Sequence, residues 1–561
     1  MIDRLNIKWE RNKQILSQYL KDNPNSSISI VSSLSIPEKH AGRFALLPEN
    51  LDLEAHIEQY PLTDYKFIDW YGRIRSVNIR GTTLGSYYDI ERMIHILGII
   101  ASYGADNKDD IDNSRYVPIH SKRIRKYFKD YLSYLDYLIV TGIIVCDRQY
   151  IVGERPRMYK LASIYEKVPL RPYYYCYHNQ LPVNSIEEEV YNKETDAFER
   201  NTLLDKLYLN SWYNQQRIEI NSSAEEYAFK LRKSKQGFDD SDQSLWDISN
   251  VWDAEAYRYK RKNPQKQYGA IMQNINEIKI HHYKAKIDTN VHRLHSVLTN
   301  MQSEFRNFLT YDSGKQLISI DIKNSQPYLL CLLLRKEFWM ESSTLPISIN
   351  NVPLNIQNLF HASPEILSDI RNFIESVNET SFQEYINLVS NGNLYEEIVD
   401  RAIQLNKKSQ ITRKKAKHGL LVLFYSPNRE YIEGITPRTY IVEKVFCEKF
   451  PTIMELFSLI KRDCMGTCLT NNYNRFARLL QSIESDIVLN RCCKRIWVEG
   501  NQQVPIFTIH DSIVTTIEHQ DYVRRVMQET MIECIGIKPT LAIEAWHLSN
   551  LDETRCLPAC V

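Results

Sequence analysis

Leu317-Ile-Ser-Ile-Asp321-Ile-Lys-Asn-Ser-Gln-Pro-Tyr328 sets an acidic residue at the end of an apolar run. Leu317, Ile318 and Ile320 read as a strand, and Asp321 closes it at an edge where a sheet can present a carboxylate to solvent. The apolar stretch from Tyr328 to Leu334 reads as a helix packed behind it. A second stretch matches it in character: Val504-Pro-Ile-Phe-Thr-Ile-His510-Asp511-Ser-Ile-Val-Thr-Thr516, β-branched residues around a central His-Asp pair. A carboxylate inside an apolar hairpin is costly unless it is paired or holds a cation. If the two strands lie side by side, Asp321 and Asp511 share one site. Carboxylates from neighbouring strands suit two divalent cations about 3.5–4 Å apart, the arrangement used for in-line phosphoryl transfer. Asp321 alone is also compatible with a plain strand-end cap.

A third segment is cationic: Arg413-Lys-Lys-Ala-Lys417-His-Gly-Leu-Leu421-Val-Leu-Phe-Tyr425-Ser426. Arg413, Lys417, Leu421 and Tyr425 recur every four residues, so on a helix they form one stripe that drifts by about 40° per step. Two cations at one end suit a triphosphate, and the ring at the other suits stacking on a base. An amphipathic surface helix would show the same spacing.

In order and spacing these segments resemble the A, B and C motifs of family A polymerases. That group holds the bacterial DNA polymerase I type and the phage-type single-subunit RNA polymerases. The family's middle motif runs Arg, three residues, Lys, seven residues, Tyr. This chain keeps each of those places, with Ser426 where glycine is usual. Val291-His-Arg293-Leu-His-Ser296 resembles the arginine-leucine-serine-serine segment that precedes motif A. Leu480-Gln481-Ser-Ile-Glu-Ser-Asp486 resembles the glutamine-bearing helix before motif C, and Lys538-Pro-Thr-Leu-Ala-Ile-Glu544 the closing strand. The resemblance spans residues 290–561. There are departures. Two extra residues separate Asp321 from Ser325-Gln326. The family's sugar-excluding Glu is replaced by Gln326 on a plain count, or by Tyr328 once the insertion is allowed. Motif C reads His-Asp-Ser, as in the RNA polymerases.

The resemblance implies an α+β right-hand polymerase of palm, fingers and thumb. It assigns 290–335 and 476–561 to the palm, 336–475 to the fingers, and 166–289 to a thumb-like helical region with a linker. Asp321 and Asp511, with the carbonyl of Ile322, would hold two ions of Mg²⁺ or Mn²⁺, the choice that hard oxygen ligands favour. Arg413, Lys417, Leu421, Tyr425 and Gln326 would meet the nucleotide, with Lys417 protonating the leaving pyrophosphate. Arg293, Gln481 and His510 would contact the nucleic acid. The expected partners are a primer–template and nucleoside triphosphates. The expected activity is DNA polymerisation from a 3′-hydroxyl without proofreading, since the first 289 residues leave too little room for an exonuclease. Alternatives are a single-subunit DNA-directed RNA polymerase, and a non-catalytic DNA-binding or initiator protein with a polymerase shell.

The rest of the sequence sets bounds. The 561 residues suggest three or four domains. Lys+Arg 70 against Asp+Glu 69 gives a net charge of +1, so any electrostatic site must be local. No G-x-G and no G-x-x-x-x-G-K occurs, which excludes the Rossmann and Walker phosphate loops. The 11 cysteines are odd in number and scattered, which points to a reducing setting. Cys464/Cys468, Cys492-Cys493 and Cys556/Cys560 lack the C-x-x-C spacing of a zinc site. No apolar run approaches the roughly 20 residues of a membrane span, and residues 1–6 lack a signal region, so a cytoplasmic location is expected.

Ahead of the palm, residues 1–110 match no recognisable module, and Asp89-Ile-Glu91 reads as part of a surface helix. Residues 111–165 read as winged-helix-like: a basic helix Ser121–Lys129, a helix Tyr131–Val140, then strands Ile143–Cys146 and Met158–Leu161. Lys122, Arg123, Arg125, Lys126 and Lys129 would face DNA phosphates, with Arg155 and Arg157 on the wing. A structural domain with a solvated basic face would look the same. Residues 190–233 and 245–290 read as helical, separated by a polar loop over Lys233–Ser244.

Overall fold

The computed structural model describes residues 43–60, 65–68, 74–77, 90–106, 116–119, 124–125, 131–147, 149, 156–175, 189–192, 197–235, 243–253, 258–281, 283, 285–405, 411–426, 440–462 and 473–552. The elements used below are, in chain order, β1 (Arg43–Pro48), α1 (Ile90–Asp106), β2 (Val117–Pro118), α2 (Tyr131–Val140), β3 (Ile144–Cys146), β4 (Met158–Leu161), β5 (Leu170–Tyr175), β6 (Ile218–Ile220) and α3 (Pro264–Lys279). Then come β7 (Ala285–Ile287), β8 (Leu294–Ser296), β9 (Leu309–Tyr311), β10 (Lys315–Ile322), α4 (Ser325–Leu333), α5 (Leu394–Leu405), α6 (Arg413–Tyr425) and α7 (Tyr440–Lys449). The last are α8 (Asn474–Ser485), β11 (Phe507–Ile509), β12 (Ser512–Thr516), α9 (Gln520–Ile535) and β13 (Leu541–Ala545).

β10 is the hub. It pairs antiparallel with β12 on one side, in a register running from Leu317 opposite Thr516 to Asp321 opposite Ser512. On its other side it pairs with β13, from Ile318 opposite Ala545 to Ile322 opposite Leu541. β9, β6 and β11 complete the six-stranded sheet. Successive side chains of a strand point to opposite faces. Ile318, Ile320 and Ile322 line one face and are buried, while Ser319 and Asp321 share the other. Two residues, Lys323 and Asn324, turn the chain from β10 into α4, with Asn324 in the left-handed region at φ 56°. α4 is buried along nearly its whole length.

Residues 354–461 are helical over most of their described length. α6 starts on Thr412, whose side chain accepts from the Lys415 N–H. Ala416, Leu420, Leu423 and Phe424 repeat at helical spacing and are buried. The Phe424 ring lies edge-on to Phe446, Phe457 and Phe476, with centroids 5.1–6.3 Å away. Lys461 Nζ donates to the Leu423 carbonyl, a cation in the last turn where the helix dipole favours it.

The N-terminal part has a core of its own, and β1 divides its side chains between the two. Ala45 and Leu47 join the N-terminal cluster, while Phe44 and Leu46 join the large one. Gly269 of α3 packs against the Ala101 carbonyl of α1, where an added Cβ would come within 2.0 Å of the oxygen. β4 pairs with β2 and β3 in a three-stranded sheet behind α2. Of the basic residues expected on the winged-helix face, Arg125 and Arg157 are exposed; Lys122, Arg123, Lys126, Lys129 and Arg155 lie outside the described residues, as do Asp89, Cys464, Cys468, Cys556 and Cys560.

The helical readings of 190–233 and 245–290 need correction. The structure has strands at Glu189–Asn192, Ala197–Arg200, Ile218–Ile220, Ile248–Asp253 and Arg258–Arg261, with helices at Leu207–Asn214, Ser223–Ser234 and Pro264–Lys279. The tyrosine, tryptophan and β-branched residues of Ile248-Ser-Asn-Val-Trp-Asp253 and Arg258-Tyr-Lys-Arg261 favour extended backbone, and pairing with each other satisfies it. No described helix is long and apolar enough to cross a membrane.

Gly419 sets how closely α6 approaches α7. A Cβ there would lie 2.8–2.9 Å from three Val442 side-chain atoms. Gly419→Ala is expected to lose about 1–3 kcal/mol to overpacking and regain about 1 kcal/mol of helix propensity. Thermal unfolding should show a net loss, relieved by adding Val442→Ala. A Gly419→Ala chain that melts higher than the parent would refute this packing.

Candidate active site

The hairpin between β11 and β12 closes with two residues, His510 and Asp511, since Ile509 pairs with Ser512. His510 sits at φ 54°, a left-handed position that ordinarily suits glycine or asparagine. This tight turn leaves Asp511 at the sheet edge, beside Asp321 of the adjoining strand. The two carboxyl groups lie within hydrogen-bonding reach of each other. Burial, then the Asp511 charge, push the Asp321 carboxyl up to about 7, and Lys417 pulls the other way. The sheet thus brings together Asp321 and Asp511, and α6 sets Lys417 close enough for its charge to be felt at Asp321.

On α6 the four-residue stripe faces outward. Arg413 and Lys417 are exposed, and Leu421 and Tyr425 are half-buried. Arg413 has a partner that the sequence did not signal: its Nε donates to Glu396 of α5 at 2.6 Å, and its guanidinium lies 5.3 Å from the centroid of the Tyr395 ring. Tyr425 closes the stripe. Burial, then the nearby Glu484 charge, push its hydroxyl up to about 12, while Arg293 and a hydrogen bond with Gln481 oppose this.

Arg293 comes from the loop before β8. Asp288 shapes that loop, accepting from the backbone N–H groups of Asn290, Val291 and Arg293 at 2.8–2.9 Å. Burial pushes the Asp288 carboxyl up, but His295 and the backbone donors outweigh it and hold it at about 2. His295 Nε2 lies 3.3 Å from Asp288, and its ring meets that of His510 edge-on at 6.5 Å.

The guanidinium of Arg293 pairs with Glu484 of α8 at 2.5 Å. The Gln326 amide donates to the other oxygen of the same carboxylate. Burial pushes Glu484 up to about 7 against the pull of Arg293. Glu484 is the functional candidate that sequence reading missed. Its only sequence signal is an acidic residue on the inward stripe of α8, beside buried Leu480, Ile483 and Ile487.

One expectation changes. Tyr328 does not reach the cleft: its hydroxyl donates to the Ile537 carbonyl at 2.5 Å and its ring is buried in the core, because α4 turns that position inward. Gln326 is buried too, tied to Glu484. Ile322 ends β10 with its side chain in the core.

Among the described residues, no group of three or more His, Cys, Asp or Glu side chains is gathered as a metal cage. The Asp321–Asp511 pair nevertheless fits hard cations: two carboxylates in contact, one of them partly neutralised by a proton, supply only oxygen ligands.

No known family model matches the chain, and no curated protein sequence matches it. Among solved structures, the POL domain of Pol1 from M. smegmatis, in complex with DNA primer-template and dNTP, is similar at 10% identity with a TM-score of 0.31. The match covers 62% of this chain and 71% of that one.

The raised Asp321 carboxyl has a consequence for stability. A folded state that binds a proton more tightly than the unfolded chain loses stability as pH rises between the two values. Here that window runs from 3.8 up to about 7. In the absence of divalent cations, Asp321→Asn should therefore gain on the parent in chemical-denaturation stability as pH climbs through it. A difference that stays flat from pH 4 to pH 7 would show that the folded chain does not raise the Asp321 carboxyl.

Proposed function

We propose that this chain is a template-directed nucleotidyltransferase that extends a 3′-hydroxyl, with DNA as the product and without proofreading. The observation that carries the reading is the pair made by Asp321 on β10 and Asp511 in the turn leading into the neighbouring strand, with Lys417 of the cationic helix close to it. Asp321, Asp511 and the carbonyl of Ile322 would hold Mg²⁺ or Mn²⁺, and such ions, when bound, would activate the hydroxyl and neutralise developing phosphate charge. Lys417 and Arg413 would take the triphosphate, and Lys417 would give a proton to departing pyrophosphate. Arg413 would reach the triphosphate by exchanging Glu396 for it. Leu421 and Tyr425 would lie under the nascent base pair, with Gln326 in the floor behind them. Arg293, Gln481 and His510 would face the primer–template, which dictates sequence by pairing.

Two other readings are kept for specific reasons. Motif C reads His510-Asp511-Ser512, Tyr328 is turned into the core, and Gln326 stands on a plain count where the family's sugar-excluding Glu would. That favours an RNA polymerase as the second reading. The third, a non-catalytic shell that binds DNA, predicts no dependence on the carboxylates.

Extension of a labelled primer–template with dNTPs and, separately, rNTPs separates the three. Incorporation is expected with dNTPs in Mg²⁺ or Mn²⁺, and chelation should abolish it. Asp321→Ala or Asp511→Ala should each lower the rate by about 10²- to 10³-fold or more, the scale of losing a preorganised electrostatic group. A strong preference for rNTPs would replace the DNA reading with the RNA one. Undiminished incorporation by Asp321→Ala would remove the catalytic reading altogether.

A further inference from the structure

Glu484 takes no part in the reaction as set out above, yet it joins the parts of the site. Its side chain is 2% exposed, and each of its oxygens is occupied. Arg293 Nη2 donates to one, and Gln326 Nε2 to the other. These donors come from separate places, the loop before β8 and the first turn of α4. The backbone of Arg293 is already fixed by Asp288, so the pairing with Glu484 sets where its guanidinium points. Tyr425 of α6 lies against the same ion pair, and Gln481, three residues before Glu484 on α8, bonds it.

What these groups leave open points to a ligand. Gln326 Oε1, Arg293 Nε, and both Asn324 Oδ1 and Nδ2 are buried with no hydrogen-bond partner among the described residues. Asn324 is 6% and Gln326 6% exposed, and Asn324 is also held in a left-handed conformation. Buried polar atoms are rarely left unpaired, and the two on Arg293 and Gln326, which share Glu484, call for a polar partner. Beside the Glu484 carboxylate the free atoms are one acceptor, Gln326 Oε1, and one donor, Arg293 Nε. Acceptors repel phosphate oxygens, so the chemistry that fits is an uncharged edge: base nitrogens and oxygens, or sugar hydroxyls.

We propose that Glu484 is a positioning residue that aims Arg293 and Gln326 at the uncharged base and sugar edge of the terminal pair of a bound duplex. This rests on the nucleotidyl-transfer reading above. The acceptor carboxylate spends both its oxygens on orienting donors, so it acts through Arg293 and Gln326 and makes no contact with substrate of its own.

The test is a double-mutant cycle on the full chain: the parent, Glu484→Gln, Arg293→Ala and the double variant. A fluorescent primer–template hairpin gives duplex affinity by anisotropy, and single-nucleotide incorporation gives kcat and KM. Thermal unfolding checks that each variant folds, and Gln326→Ala stands in for Glu484→Gln if the latter does not. Glu484→Gln is expected to lower kcat by about 10- to 100-fold, the scale expected when a reacting end is misplaced, with KM for nucleotide changed less than about threefold. Hairpin binding should weaken, and the double variant should be no worse than Arg293→Ala, because residues acting as one unit are not additive. Additive losses, or a Glu484→Gln chain that binds and extends like the parent, would overturn the proposal. If the parent incorporates no nucleotide, the nucleotidyl-transfer reading fails, and hairpin affinity alone decides. Non-additive loss there supports the positioning role, and four equal affinities refute it.

Discussion

Two acidic side chains brought within hydrogen-bonding reach, Asp321 at the end of β10 and Asp511 in the turn before β12, are the constraint on which the rest of this site depends. Burial first, and then the Asp511 charge beside it, raise the Asp321 carboxyl to about 7. A fold that merely needed a strand cap at this point would gain more from serine or asparagine. Keeping two acids there requires a rigid frame, and the frame is visible. β10 is paired along both edges, and its other face is packed with Ile318, Ile320 and Ile322. The two-residue turn at His510 accepts an unfavourable backbone angle at the step that places Asp511.

The opposing wall is built by a different physical route. α6 carries its cations on an exposed stripe, at the far end of which Tyr425 packs against the core. Its position comes from the other face, where Phe424 sits among Phe446, Phe457 and Phe476, and Gly419 lets Val442 approach closely. The basic stripe can therefore vary its partners, as Arg413 does with Glu396, without disturbing the helix that presents it.

How much of this was legible in the sequence follows from how local each cause is. Strand β10, hairpin β11–β12 and helix α6 could be read because an apolar run, a β-branched run and a four-residue spacing each lie within a dozen residues. The stripe Arg413, Lys417, Leu421, Tyr425 emerges intact for the same reason. The segments 190–200 and 248–261 misled because their strands are short, and pairing, not periodicity, holds them extended. Glu484 could not be foreseen, since its two partners lie 191 and 158 positions away and only the fold brings them together. Tyr328 shows the converse error. An alignment by spacing moved it into the cleft, whereas the helical turn after Asn324 carries it into the core.

The charges of the cleft make a final point. Glu396 answers Arg413, and Glu484 answers Arg293, so those four cancel in pairs. What remains nearest the pair is Lys417, whose charge opposes the raised Asp321 carboxyl, with Asp511 and Glu544 acting the other way. The overall chain charge of +1 gives no long-range attraction for a polyanion, so any attraction must come from groups at the site. A triphosphate would enter only where bound cations add positive charge, or where it displaces Glu396 and takes Arg413 for itself. The same balance explains why Arg293 is not spare cationic capacity. Its charge is already committed to Glu484, which leaves geometry, and not net attraction, as what it can offer to a ligand.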